Sequence, residues 1–138
     1  EAEEMAQNQK MFQTIFYIIS AISLLVGAIV IANIMLATIQ ERTREIGIRL
    51  TVGARRRDIF LQFLVQTILV TTIGGILGIV VGLSLLDVVS KFLDMELIAG
   101  VAMIFIALMV SAGVGFVSGI VPAIIASKLD PVEALRYE

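Results

Sequence analysis

The side chains able to do chemistry are gathered in one segment. Residues 41–58 hold Glu41, Arg42, Arg44, Glu45, Arg49, Arg55, Arg56, Arg57 and Asp58, six of the chain's ten basic residues among them. Gly47 and Gly53 lie between these charges, yet no G-x-x-x-x-G-K-[ST] phosphate loop forms there or elsewhere in the chain. With no His and no Cys, imidazole-assisted nucleophiles, thiol chemistry and His/Cys metal sites are excluded. No catalytic residue and no metal ligand is expected. Carboxylates interleaved with guanidiniums instead suit recognition of a protein partner, because an anionic lipid surface gives no reason for Glu41 and Glu45.

The elements that must position this segment are apolar. Of 138 residues, 59% are hydrophobic and 16% charged, against about 25% charged in ordinary soluble domains, and the mean hydropathy is +1.02. Three stretches, 11–40, 59–86 and 97–127, contain no charge at all. A bilayer core of roughly 30 Å needs about 20 apolar residues in a helix, so three transmembrane helices are predicted at about 12–40, 59–86 and 97–127. The apolar character is continuous and does not alternate, which excludes a strand barrel. The fold expected is therefore all-α and integral to the membrane, with a single unit covering 1–138.

Each charge in 41–58 would cost about 2.5–3.5 kcal/mol at mid-bilayer, which puts the segment in water or among headgroups. Segment 41–58 and the tail 128–138 together carry eight Lys and Arg, against Lys10 and Lys91 on the other side. The positive-inside rule then makes 41–58 and the tail cytoplasmic and the amino terminus external. An external amino terminus without a leader pattern or initiating Met implies a longer polypeptide with at least one earlier span. Stretch 11–40 would be about 45 Å long as a helix. It either projects from the outer surface, along the stripe Met5, Phe12, Ile15, Phe16 and Ile19, or frays into a disordered arm.

Inside the spans, small residues recur at helical spacing. Gly74, Gly78 and Gly82 form two overlapping G-x-x-x-G units, and Ala107, Ser111, Gly115, Gly119, Ala123 and Ser127 form a longer series. Both are expected to be packing seams, since close backbone approach replaces the hydrophobic drive in lipid. Pro122 removes a helical donor and predicts a kink in the third span, either a flex point or a bend shaped to its neighbours. Asn33 is the main strongly polar group deep in a span, and no Asp, Glu, Lys or Arg lies in any of the three stretches. That argues against a transporter driven by its own ion gradient and against an intramembrane carboxylate dyad.

Between the first two spans, Thr43, Ile46 and Leu50 align on one helical face and Arg42, Glu45 and Arg49 on another, so a short amphipathic helix is predicted, stopped by Gly53. Arg55, Arg56 and Arg57 are suited to anchor the next span in headgroups. In the tail, Asp130-Pro131-Val132-Glu133 combines a cap, a Pro at the first helical position and an acid at the third, predicting a short helix at 131–137 on the same side.

Taken in order, Asn33-Ile34-Met35-Leu36, Glu41 to Arg49 (ERTREIGIR), Val52-Gly53-Ala54-Arg55, Asp58-Ile59, Gly74-Gly75, Gly78, Pro122-Ala123 and Leu129 to Leu135 (LDPVEAL) closely resemble the carboxy-terminal half of the MacB/FtsX-like permeases of ABC transporters. The likeness runs from about Gln13 onward; Leu50-Thr51, where MacB-like members often carry Lys-Ala or Met-Ala, is a small departure. The resemblance implies a four-span permease with an extracytoplasmic domain, working as a homodimer or related heterodimer in the bacterial inner membrane. It implies that the short helix is a coupling helix meeting the nucleotide-binding ATPase, with Thr43, Arg44, Glu45, Ile46, Gly47, Arg49, Leu50, Gly53 and Ala54 as the coupling residues. ATP and Mg would belong to that ATPase and no cofactor to this chain. The motor's movement would reach the outside by mechanotransmission, in MacB-like efflux of antibiotics, peptides or toxins with a periplasmic adaptor and an outer-membrane channel. Lol-type lipoprotein extraction and FtsX-type regulation without a transported substrate are the alternatives. Besides these proteins and membrane lipids, no nucleic-acid partner is implied.

Overall fold

The computed structural model describes residues 1–136. Five helices follow one another: α1 (Ala2–Glu41), α2 (Thr43–Thr51), α3 (Arg56–Leu93), α4 (Val101–Ser127) and α5 (Pro131–Arg136). Of these, α1, α3 and α4 are long and apolar enough to cross a membrane. The all-α expectation therefore holds; Tyr137, placed at the end of the tail helix by its sequence, lies outside the described residues. The 40 residues of α1 make a helix about 60 Å long. Its amino-terminal arm is helical from Ala2 and is not frayed.

Helix α3 continues past Leu86 to Leu93, so the connection expected from Asp87 onward shrinks to residues 94–100. The cause is local. Asp87 and Lys91 pair at 2.8 Å one turn apart, an arrangement that extends a helix into water. Asp94 then takes the left-handed conformation (φ 53°, ψ 36°) and ends it, a role that a short polar side chain tolerates. Gly100 caps α4, which starts at Val101 instead of near 97.

Helix α4 is the centre of the bundle, with α3 packed along it and α1 leaning on it. The α3–α4 seam consists of facing pairs. A Cβ built on Gly119 would sit 2.9 Å from the Thr67 Cβ, one on Gly115 would collide with Thr71 and come within 3.0 Å of the Ile68 Cα, and one on Gly75 would collide with Ser111. The polar atoms in this seam are satisfied. Thr67 and Thr71 donate to the Phe63 and Thr67 carbonyls at 2.8 and 3.0 Å, and Ser111 donates across the seam to the Thr71 carbonyl at 2.5 Å. In lipid such pairing is the condition for burying hydroxyls at all.

Ser111, Gly115 and Gly119 thus occupy the expected seam, but their partners on α3 are Thr67, Thr71 and Gly75. Gly74, Gly78 and Gly82 are a correction to the expected arrangement: within this chain a Cβ at any of them meets nothing within 4 Å. One residue of offset turns a helix by about 100°, and that offset carries Gly74 and Gly78 into a cleft of about 870 Å³ facing Ser20, Ser23 and Gly27 of α1. Pro122 is fully buried and α4 runs through it unbroken. Asn33 is exposed on α1, turned away from the other helices.

At the end of the bundle that bears α2, one apolar cluster joins four helices: Met35 and Ile39 from α1, Ile46 from α2, Ile59, Phe63 and Leu64 from α3, and Ala123 and Ala126 from α4. The end of α1, the start of α3 and the end of α4 therefore meet on one side, as three alternating crossings require.

Because the seam has no room for a side chain at Gly119, Gly119→Leu is expected to destabilise the detergent-solubilised chain by about 1–3 kcal/mol, the usual cost of overpacking. Gly78→Leu should leave that stability within about 0.5 kcal/mol, as for other exposed sites. Thermal unfolding followed by circular dichroism separates the two variants, and equal losses would contradict the seam.

Candidate functional site

The charged segment is folded into a foot beneath the bundle. Only Arg42 separates α1 from α2. Thr43 stitches the junction, its hydroxyl donating at 2.9 Å to the Ile39 and Gln40 carbonyls, acceptors that the end of a helix otherwise leaves unpaired. At the other end, Gly53 adopts φ +111°, Ala54 N–H bonds the Arg49 carbonyl at 3.0 Å and Gly53 N–H the Leu50 carbonyl at 3.4 Å. This pair of bonds is the Schellman stop, which needs a left-handed residue where Gly53 stands. Helix α3 then opens with the Asp58 carboxylate accepting the Arg55 N–H at 3.3 Å.

The predicted two-faced character of α2 is realised. Ile46 is buried and belongs to the core cluster, and Leu50 packs partly against it. On the adjoining face, Arg49 donates at 2.6 Å to Glu45 and at 2.8 Å to Gln62 of α3. The Arg49–Glu45 pair is about half exposed on both sides, so it contributes little stability; its value is orientation, since one guanidinium spans two helices. Arg56 donates to the Ser127 carbonyl at 3.3 Å, tying the start of α3 to the end of α4, where a cation complements the helix dipole. That is a protein contact at a position assigned to headgroups by its sequence.

The tail helix completes the foot. Asp130 caps α5, accepting Val132 N–H on its carboxylate at 3.0 Å, and Ala134 is buried against α2 with 1% exposure. A Cβ on Gly47 would lie 2.5 Å from the Ala134 Cβ, so α2 and α5 touch where neither can be larger.

Of the nine residues assigned to this segment, Ile46 and Gly47 are buried within the chain, Thr43 and Leu50 are half-buried, and Arg44, Glu45, Arg49, Gly53 and Ala54 are exposed. The foot's outer surface thus carries Arg44, Glu45 and Arg49 together with Ile48 and Val52, which are 46% and 83% exposed. Sequence reasoning missed these two apolar residues. Ile48 stands about 200° around the helix from Ile46, and that angle was the available signal. Gln62 and Ala134 were missed as well, and nothing local marks Gln62 as the partner of Arg49. Among the described residues no group of His, Cys, Asp or Glu could hold a metal ion. The foot presents a mixed-charge rim with apolar points, braced from behind.

A family model described as FtsX-like permease C-terminal matches residues 17–131. The chain belongs to the FtsX-like permease family. It is a multi-pass membrane protein by its three spanning helices. It is 50% identical over 120 residues, 87% of its length, to the macrolide export ATP-binding/permease protein MacB of Bdellovibrio bacteriovorus, covering 18% of that protein. It is 44% identical over 142 residues to the uncharacterized ABC transporter permease YvrN of Bacillus subtilis, with 100% of this chain and 35% of that protein covered. A MacB protein of Syntrophobacter fumaroxidans is 42% identical over 134 residues, 97% of this chain and 19% of that protein. This FtsX-like permease chain thus spans about a third or less of the length of these relatives.

Placing a methyl group at the left-handed Gly53 costs about 1–2 kcal/mol. Gly53→Ala is therefore expected to loosen the end of α2, read as faster amide exchange at Gly53 and Ala54, whose N–H groups make the two terminating bonds. Unchanged exchange there would show that this turn does not hold the foot.

Proposed function

We propose that this chain is the membrane-embedded part of an ATP-driven ABC exporter, in which α2 is the coupling helix that receives the movement of a nucleotide-binding ATPase. The observation that carries the reading is the build of α2: two turns, joined to α1 by one residue, stopped against α3 by Gly53, with its apolar face in the core and a charged rim outside. A helix held in this way transmits a push and does not absorb it. The spans contain no Asp, Glu, Lys or Arg between residues 59 and 86 or 97 and 127, so movement of the helices, and not passage of a polar substrate between them, is the mode we infer. The displacement would be delivered to an extracytoplasmic domain by mechanotransmission.

The likeness to proteins named for macrolide export supports MacB-like efflux of antibiotics, peptides or toxins, with a periplasmic adaptor and outer-membrane channel as further partners. ATP and Mg would bind at the ATPase. The eight-to-two distribution of Lys and Arg supports a bacterial inner-membrane protein with α2 and α5 in the cytoplasm and the first residues of α1 outside. The permease would work as a pair with a second copy or related subunit. Asn33, an exposed amide in the apolar part of α1, supports a helical partner on that face, since an amide in lipid gains from a bond to another helix.

The double variant Glu45→Lys with Arg49→Glu keeps two opposite charges on α2 but exchanges their places. It is expected to weaken association with the ATPase by about tenfold or more, equivalent to the roughly 1.4 kcal/mol of a lost charged contact, measured by binding to detergent-solubilised full-length permease. Ile48→Asp should act in the same direction. Full affinity in both variants would remove α2 as the coupling element.

A further inference from the structure

Three spans leave the foot, but α2 is continuous in sequence with only two of them. Arg42 leads back to α1 and residues 52–55 lead on to α3, whereas α4, the helix on which the bundle is assembled, has no direct chain connection to α2. Its connection runs through the tail: α4 ends at Ser127, and Lys128, Leu129 and Asp130 lead into α5. Helix α5 packs on α2. The contact is a methyl group against bare backbone, Ala134 with 1% exposure on Gly47, the Pro131 carbonyl lying 3.5 Å from the position a Gly47 Cβ would take. A contact without flexible side chains cannot yield by changing rotamer; it either holds its register or separates.

The other links to α4 at this end are made by side chains, and Ile46 of α2 shares the apolar cluster with Ala123 and Ala126 of α4. Arg56 reaches the Ser127 carbonyl with a single exposed bond, and between the end of α1 and the α4–α5 junction the structure leaves a cleft of about 480 Å³ lined by Leu36, Ile39, Thr43, Leu129 and Glu133. The six residues of α5 would be marginal as an isolated helix. What fixes them is the Asp130 cap, Pro131 at the first position and the seat of Ala134 on α2.

We infer that α5 is a strut joining α2 to α4, with Gly47 and Ala134 as its positioning residues, so that displacement of α2 enters the bundle through the central span as well as through α1 and α3. This rests on the reading of α2 as the coupling helix and adds a route to it. Gly47 is then required by the strut and not by the ATPase, which fits its burial within the chain.

The test uses the full-length permease with its ATPase in lipid nanodiscs, diluted with unlabelled copies so that only distances within one chain are read. This chain contributes no Cys of its own, and Thr51 and Lys128 are exposed, so spin labels at Thr51→Cys and Lys128→Cys report the distance between α2 and the end of α4. One narrow distance is expected with and without ATP. Gly47→Ala forces its methyl into Ala134 and should replace that distance with a broad or nucleotide-dependent one. Adding Ala134→Gly to Gly47→Ala moves the methyl group to the other partner and should restore the narrow distance. A distance that shifts with ATP in the unaltered chain, or that stays narrow in Gly47→Ala, overturns the strut. A parallel cross-link from Ile48→Cys to the ATPase separates the two ideas. Its formation alongside a distance that shifts with ATP in the unaltered chain, or that stays narrow in Gly47→Ala, removes the strut alone, and its failure removes the coupling reading and the strut with it.

Discussion

The architecture depends on how closely α4 approaches α3. In lipid there is little hydrophobic gain in bringing two apolar helices together, so association has to come from atom-to-atom packing and from bonds between polar groups. The pairs Thr67 with Gly119, Thr71 with Gly115 and Gly75 with Ser111 supply both. Each places a small residue opposite a side chain that fills the space, and each hydroxyl has an acceptor. Helix α1 has no comparable seam. It leans on α4 near its end, through Met35 and Ile39, and along most of its length presents large apolar side chains outward. A change that separated α3 from α4 would remove the support on which α1 rests.

The foot follows a different rule, because it lies where charges and backbone groups can meet water. Its rigidity comes from termini. Thr43 absorbs the last carbonyls of α1, Gly53 closes α2, Asp58 opens α3 and Asp130 opens α5. No one of these bonds is strong; an N-cap or a C-terminal turn is worth about 1 kcal/mol. Acting on helices of nine and six residues, too short to be stable alone, they determine whether the foot has a single shape. Ile46 then connects that shape to the core cluster, so the exposed rim of Arg44, Glu45, Ile48 and Arg49 stands at a set orientation to all three spans.

Much of this was legible from residue order, for physical reasons that differ from one element to the next. The spans show because charge is excluded from lipid. The stop at Gly53 and the cap at Asp130 show because few residues do those jobs. The face Thr43, Ile46 and Leu50 shows because burial has helical period. Where a property depended on which side of a helix meets a neighbour, sequence was ambiguous. Gly74, Gly78, Gly82 and the series through Gly115 are equally good seams on paper; only the rotation of α3 about its axis decides that Gly75 and not Gly74 faces Ser111. The same limit hid Gln62 from Arg49 and Ala134 from Gly47, since a bond or contact across 13 or 87 positions leaves no local trace. The length of α3 was underestimated for the opposite reason. Charges at Asp87 and Lys91 mark the end of what lipid tolerates, not the end of what a helix tolerates.

The distribution of charge carries the last step. A membrane protein that moves ions or polar solutes by its own gradient pays to keep ionisable groups at depth, and those groups are what make the work possible. Here the uncharged stretches keep Asn33, a few glutamines towards their ends (Gln13, Gln40, Gln62 and Gln66) and a set of hydroxyls, most of the hydroxyls turned back onto their own helices. That distribution is what favours the proposed movement of the helices over passage of a polar cargo between them. In the proposed coupling mode the work would be introduced where the charges are and delivered at the far end of helices about 60 Å long. A long helix seated firmly at one end and loosely along its length converts a small displacement of the seat into a larger one at the tip. The tight foot and the sparsely packed α1 are two requirements of that one geometry.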